Sequence, residues 1–84
     1  MNRLQDIFDL IHAERLRQDK LWGFPQCNNI AEWGIILAEE FGEAIKEINE
    51  LHFNNGNYNK VETELIQLAA VCVSIIEHIL EKEK

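Results

Sequence analysis

Two breaker segments do most to constrain what this 84-residue chain can fold into. One is Trp22-Gly23-Phe24-Pro25, which holds the single proline; the other is His52-Phe53-Asn54-Asn55-Gly56-Asn57. Proline lacks the N–H that a helix interior needs, and Gly and Asn favour turns, so a helix stops at each. The stretches between them show no strand-like alternation and a strong helical period. Helices are therefore predicted over about Arg3 to Lys20, about Ile30 to Leu51, and from after Asn59 to about Glu81. Asn28 or Asn29 can cap the second, and Asn59 with Glu62 three positions on resembles a capping box for the third. The expected fold class is all-α. It is a bundle of three main helices built round an antiparallel hairpin, as one domain spanning residues 1–84.

The apolar residues say how such helices would pack. In the first, Leu4, Ile7, Phe8, Ile11 and Leu16 fall on one stripe. In the second, Trp33, Leu37, Phe41, Ala44, Ile45, Ile48 and Leu51 share an arc. The third is apolar more broadly. Leu65, Leu68, Cys72, Ile75, Ile76 and Ile79 make one face, while Ile66, Ala70 and Val73 lie well round the cylinder from it. A helix that is apolar on two sides is buried on two sides. A domain this short buries only about 60–65% of its unfolded surface and cannot surround such a helix alone. The expectation is a homodimer or homotetramer that completes a four-helix-type core, with the third helix near the interface.

Charge narrows the partners. Fifteen acidic against eight basic residues give a net charge of −7. An acidic chain without a basic stripe repels nucleic acid polymers and favours a cation, so an anionic substrate would arrive with metal between it and the protein. Cys27 and Cys72 have no CxxC spacing and no adjacent histidine, which gives neither a disulfide framework nor a zinc site. Cys72 reads as a small core residue. The N-terminal MNRLQDIFDL does not read as a secretory signal, and no window reads as the roughly 18 apolar residues of a membrane span. A reduced, cytoplasmic setting with no membrane partner is expected.

The carboxylates are not scattered evenly. Glu40 and Glu43 are three apart on the second helix, with Glu47 four further on, and all lie on one edge beside the apolar arc. Like charges at this spacing destabilise a helix by a few tenths of a kcal/mol unless solvent or a cation intervenes. On the third helix Glu64, Gln67, Val71, Ser74 and His78 form one narrow stripe, the only polar one on that helix. A short loop makes the two helices antiparallel neighbours, so these edges can face each other. Glu40, Glu43 and Glu64 would then converge, with Gln67 one turn along. Hard oxygen ligands of this kind suit Mg²⁺ or Mn²⁺. The competing reading is a solvated acidic edge.

At these residues the chain resembles the MazG-like, all-α nucleoside triphosphate pyrophosphohydrolases. That family carries EExxE on one helix and ExxD on the next. Glu39-Glu40-Phe41-Gly42-Glu43 matches the first half, and Glu64-Leu65-Ile66-Gln67 the second, with glutamine in the place of the aspartate. Leu68-Ala69-Ala70-Val71 is similar to the family's apolar continuation. The segment from Glu14 to Gly23 resembles the N-terminal helix and turn of small members, so the likeness runs from about Glu14 to Glu77.

The resemblance implies a helical protomer in a dimer or tetramer. It implies Mg²⁺-dependent cleavage of a nucleoside triphosphate between the α- and β-phosphates, releasing nucleoside monophosphate and pyrophosphate. Glu40, Glu43 and Glu64 would be metal ligands, Gln67 would occupy the aspartate's place, and Glu39 would be an accessory acid that holds or deprotonates water. Gln67 can offer a carbonyl but no charge, which weakens the metal and leaves open a nucleotide- or metal-binding module without turnover. A purely structural oligomerisation module is the third reading. Arg15, Arg17 and Lys20 near the end of the first helix either reach phosphate or are solvated. Trp22 either stacks on a base or fills a gap between helices. Gln18 is a candidate to hydrogen-bond a base or a phosphate.

Overall fold

The computed structural model describes residues 2–23 and 27–82. Among them are three helices and no strand: α1 (Arg3–Trp22), α2 (Ile30–Asn54) and α3 (Tyr58–Lys82). The all-α expectation holds, and each boundary has a local cause. Asn2 starts α1 by accepting from the Gln5 N–H at 3.2 Å. Gly23, at φ 94°, ends it with its N–H on the Asp19 carbonyl at 2.7 Å. The helix therefore runs through Trp22, and Phe24 and Pro25 of the first breaker lie outside the described residues.

Asn29 opens α2 with both halves of a capping box. Its side chain accepts from the Glu32 N–H at 2.8 Å, and its own N–H donates to the Glu32 carboxylate at 3.0 Å. This helix passes Leu51 and takes in His52 and Phe53, stopping where Asn55 turns left-handed at φ 53°. Next comes Gly56, whose N–H reaches the Glu50 carbonyl at 2.9 Å. The expected Asn59–Glu62 cap of α3 is corrected. Asn57, nearer the turn, accepts from the Asn59 N–H at 2.7 Å, so Asn59 already lies in the first turn.

The middle element is α3, which packs against both α2 and α1. It runs antiparallel to α2. The Trp33 ring lies 6.4 Å from His78 near one end, and Glu47 shares a cavity with Lys60 near the other. By contrast, α1 crosses α3. Glu14 borders a cavity with Glu62, Thr63 and Ile66, while its neighbour Arg15 reaches Glu77.

The seams take in only part of the apolar faces expected. On α3 the buried residues are Ala70, Val71 and Ser74, with Glu64, Gln67 and His78 half-buried, so the polar stripe faces inward. Leu65, Ile76 and Ile79 face out. On α2, Trp33 and Ala44 are buried, with Leu37, Glu40, Glu47 and Leu51 half-buried along the same line, while Phe41, Ile45 and Ile48 are exposed. The buried residues of α1 are Arg15 and Gln18, and its Leu4, Ile7, Phe8 and Leu16 stay open. Small side chains at the crossings, Ala44, Ala70 and Ser74, let these helices approach along their polar lines.

By length and composition α3 is long and apolar enough to cross a membrane, and 17% of its most apolar stretch is buried in the chain. The core helix of a soluble protein has the same character, and scattered polar residues such as Gln67 and Ser74 do not outweigh the Val, Ile and Leu around them.

Candidate metal centre

Because Glu40 and Glu47 share the inward line of α2 with Trp33, Leu37 and Ala44, and the polar stripe of α3 faces that line, glutamates from both helices meet. Glu40 and Glu43, one turn apart on α2, and Glu64 on α3 offer carboxylate oxygens that all lie within 4.8 Å of one another. One oxygen of Glu40 and one of Glu64, the Oε2 atoms, are buried and have no hydrogen-bond partner among the described residues. A buried acceptor left unmet costs about 1–3 kcal/mol, and more when it is charged. Glu43 is exposed, so the group opens to solvent on its side.

The electrostatics follow from that crowding. Burial, then the charges of Glu43, Glu64, Glu14 and Glu39, push the Glu40 carboxyl above its ordinary range. Burial also raises Glu64, followed by the charge of Glu43, a hydrogen bond with Glu43 and the charge of Glu47. Oxygen-only ligands from two helices, with unmet lone pairs and an open side, fit a hard divalent cation that keeps part of its water shell. Protons are its competitors at the same oxygens.

Every residue singled out in the sequence has a definite place. Glu39 is exposed on α2, and its charge acts on Glu40. Gln67 is half-buried one turn beyond Glu64, and its backbone carbonyl accepts from the Gln18 side chain at 3.3 Å. Gln18 is 1% exposed, and its amide nitrogen also donates to Glu14 at 3.0 Å, so that nitrogen serves the chain itself. Lys20 is exposed in the last turn of α1. Trp22 is exposed at the end of α1, so within one chain it fills no gap. Arg15 is taken up by Asp19 at 2.6 Å and Glu77 at 2.7 Å, away from the three glutamates. Burial alone would lower its pKa, but hydrogen bonds to Glu77 and Asp19 outweigh this and hold it raised.

Glu14 and Glu47 were not picked out from the sequence as members of the site. Glu47 was read as a third acid on the edge, and its i,i+4 step from Glu43 was its only signal. Glu14 comes from α1, and its charge is felt at Glu40. It is held by Arg17 in a two-pronged pair, Nε to Oε1 at 2.7 Å and Nη2 to Oε2 at 2.8 Å. That hydrogen bond is the main cause that keeps the Glu14 carboxyl below its ordinary range. The i,i+3 spacing of Glu14 and Arg17 is legible in the sequence; the crossing of α1 over α3 that brings their charges within reach of Glu40 is not. In comparisons with known proteins no family model matches the chain, and no curated protein or solved structure matches it either.

Proposed function

We propose that this chain is a Mg²⁺-dependent nucleoside triphosphate pyrophosphohydrolase of MazG-like type, cleaving between the α- and β-phosphates to give nucleoside monophosphate and pyrophosphate. One observation carries the metal-binding part: carboxylates of Glu40, Glu43 and Glu64 converge from two helices, with the buried Oε2 atoms of Glu40 and Glu64 unsatisfied among the described residues. The ordered EExxE and Glu-x-x-Gln pattern supports the choice of reaction. Glu40, Glu43 and Glu64 would hold the cation, with Mn²⁺ as a substitute, and Gln67 sits where a fourth ligand is expected. When bound, the cation neutralises the polyphosphate, polarises its oxygens and orients water. Glu39, exposed and next to Glu40, would be the accessory acid that holds or deprotonates that water. Lys20 and Trp22, both exposed near the end of α1, are open to substrate.

The working form in this reading is a homodimer or homotetramer in the cytoplasm that completes a four-helix-type core. Exposed surface supports it. The chain exposes 6414 Å², against about 5,200 Å² for a compact monomer of its mass. Its radius of gyration is 14.1 Å, where about 12 Å is usual for this length. The excess area is on the scale of the about 800 Å² that each partner gives to a stable interface. A soluble bundle, rather than a bilayer, covers α3 in this reading, because its inner line is packed against α1 and the acidic α2 and the net charge of −7 repels anionic lipid.

The test is pyrophosphate release from a panel of nucleoside triphosphates with Mg²⁺ or Mn²⁺. Activity should vanish in Glu43→Gln with helicity kept, and full turnover in that variant would remove Glu43 from the site. Gln67 favours a second reading, a module that binds metal and nucleotide without turnover. In that case Mg²⁺ with nucleotide raises the melting temperature, no product forms, and Gln67→Asp restores cleavage.

A further inference from the structure

Arg17 has a binding edge to spare. Its Nε and one Nη2 hydrogen are spent on the Glu14 carboxylate, at 2.7 and 2.8 Å. A guanidinium has five N–H donors in a rigid plane, so three remain, and they form a second fork along the Nη1–Nη2 edge. That fork matches a phosphate as well as a carboxylate. The Arg17 side chain is 52% exposed, whereas Glu14 beneath it is 11% exposed, so the arginine is anchored from below and open above. Glu14 is itself fixed by Gln18, which ties it to the Gln67 carbonyl of α3. Glu14 and Arg17 together line a cavity of about 290 Å³ against Glu62 and Thr63, next along the chain to the metal-centre residue Glu64. The charges of Glu40 and Arg17 are within reach of each other. The other two candidates are less well placed: Arg15 is spent on Asp19 and Glu77, and Lys20 is a point charge without a fork.

We infer that Arg17 is the phosphate-binding arginine of this centre, engaging a polyphosphate oxygen pair through its free Nη1–Nη2 edge, with Glu14 as its positioning residue. The inference rests on the proposed reading of the carboxylates as a metal–polyphosphate site. It gives the acidic seam the positive partner that a triphosphate requires, drawn from α1 rather than from the two helices that carry the glutamates.

Glu14 gives the inference a distinctive sign. Were it only a nearby negative charge, Glu14→Gln would strengthen anion binding. As the anchor of Arg17, its loss weakens it.

The experiment is calorimetric titration of the full chain with inorganic tripolyphosphate at fixed Mg²⁺, beside titration with Mg²⁺ alone. Arg17→Ala should weaken tripolyphosphate by about tenfold or more, and Arg17→Lys, which keeps charge but loses the fork, by several-fold. Arg17→Lys, which keeps the charge, should leave the Mg²⁺-only affinity unchanged, and Arg17→Ala should not weaken it. Glu14→Gln should weaken tripolyphosphate, with Glu14→Gln/Arg17→Ala no weaker than Arg17→Ala alone. Equal tripolyphosphate affinity in wild type and Arg17→Lys and Arg17→Ala, tighter binding in Glu14→Gln, or no tripolyphosphate binding by wild type overturns the inference. Mg²⁺ binding by wild type in those cases would leave the metal centre standing, and its absence would remove both.

Discussion

Glu40 and Glu64 hold their protons more tightly than ordinary glutamates, first because they are buried and then because other glutamates crowd them. A carboxyl raised on folding takes up more protons in the folded chain than in the unfolded one. Its contribution to stability is therefore present below the ordinary value of 4.5 and is lost as pH rises through the raised value. Glu40→Gln mimics the protonated form at every pH. Without metal it should match wild type below pH 4.5 and exceed it by about 1 kcal/mol at neutral pH, the usual reward for removing a strained functional group. Denaturant melts over a pH series would read this, and a gap that does not change with pH would show that the carboxylate is not strained. Added Mg²⁺ should reverse the order at neutral pH by stabilising wild type alone. At this scale three of the acids, Glu40, Glu43 and Glu64, could be picked out from spacing, because two lie one turn apart and the third stands on the only polar line of an apolar helix. Their protonation could not, since it depends on how deeply the seam closes over them.

The elements begin and end where short side chains compete for backbone groups. Asn28 and Asn29 are both candidate caps by their short amide side chains, and Asn29 is the one that forms both capping-box bonds with Glu32. Asn59 with Glu62 had the same spacing yet is not the cap, since Asn57 stands closer to the turn and meets the Asn59 N–H. The turn also depends on Gly56 for a steric reason. A Cβ there would stand 2.8 Å from both the Glu50 carbonyl carbon and the Leu51 nitrogen, which are backbone atoms with little room to give. Gly56→Ala should cost about 1–3 kcal/mol by thermal or chemical denaturation, in the range of backbone strain. A neutral result would mean that the α2–α3 turn reorganises freely. How much of each apolar face stays open to solvent was the part the sequence did not disclose. Apolar periodicity marks a face that prefers burial without saying whether the same chain or another copy covers it.

The whole molecule puts that ambiguity to use. Within one chain the seams bury Trp33, Ala44, Ala70 and Val71 beside Arg15, Gln18 and Ser74, and most of the large apolar side chains are left facing out. In the proposed oligomer those outward faces are the shared core. Ile76, 55% exposed on α3, is a direct probe. Wild type should elute at a mass at least twice 9.8 kDa, and Ile76→Glu should shift it toward the monomer with a melting temperature that falls on dilution. Light scattering across a concentration series reads both, and a wild type that runs as a monomer at every concentration removes the oligomer.

The chain links α2 to α3 only through the turn at residues 55–57, and further along the seam like charges press the two helices apart. A divalent ion seated among Glu40, Glu43 and Glu64 would act there as a clasp. How often the hairpin breathes would then follow the free ion concentration. Amide hydrogen exchange near residues 40–47 and 60–67 should slow with Mg²⁺ far more than exchange at the start of α1. Cation supply would thus set the rigidity of the scaffold as well as its chemistry, making this hairpin its own gauge of available metal.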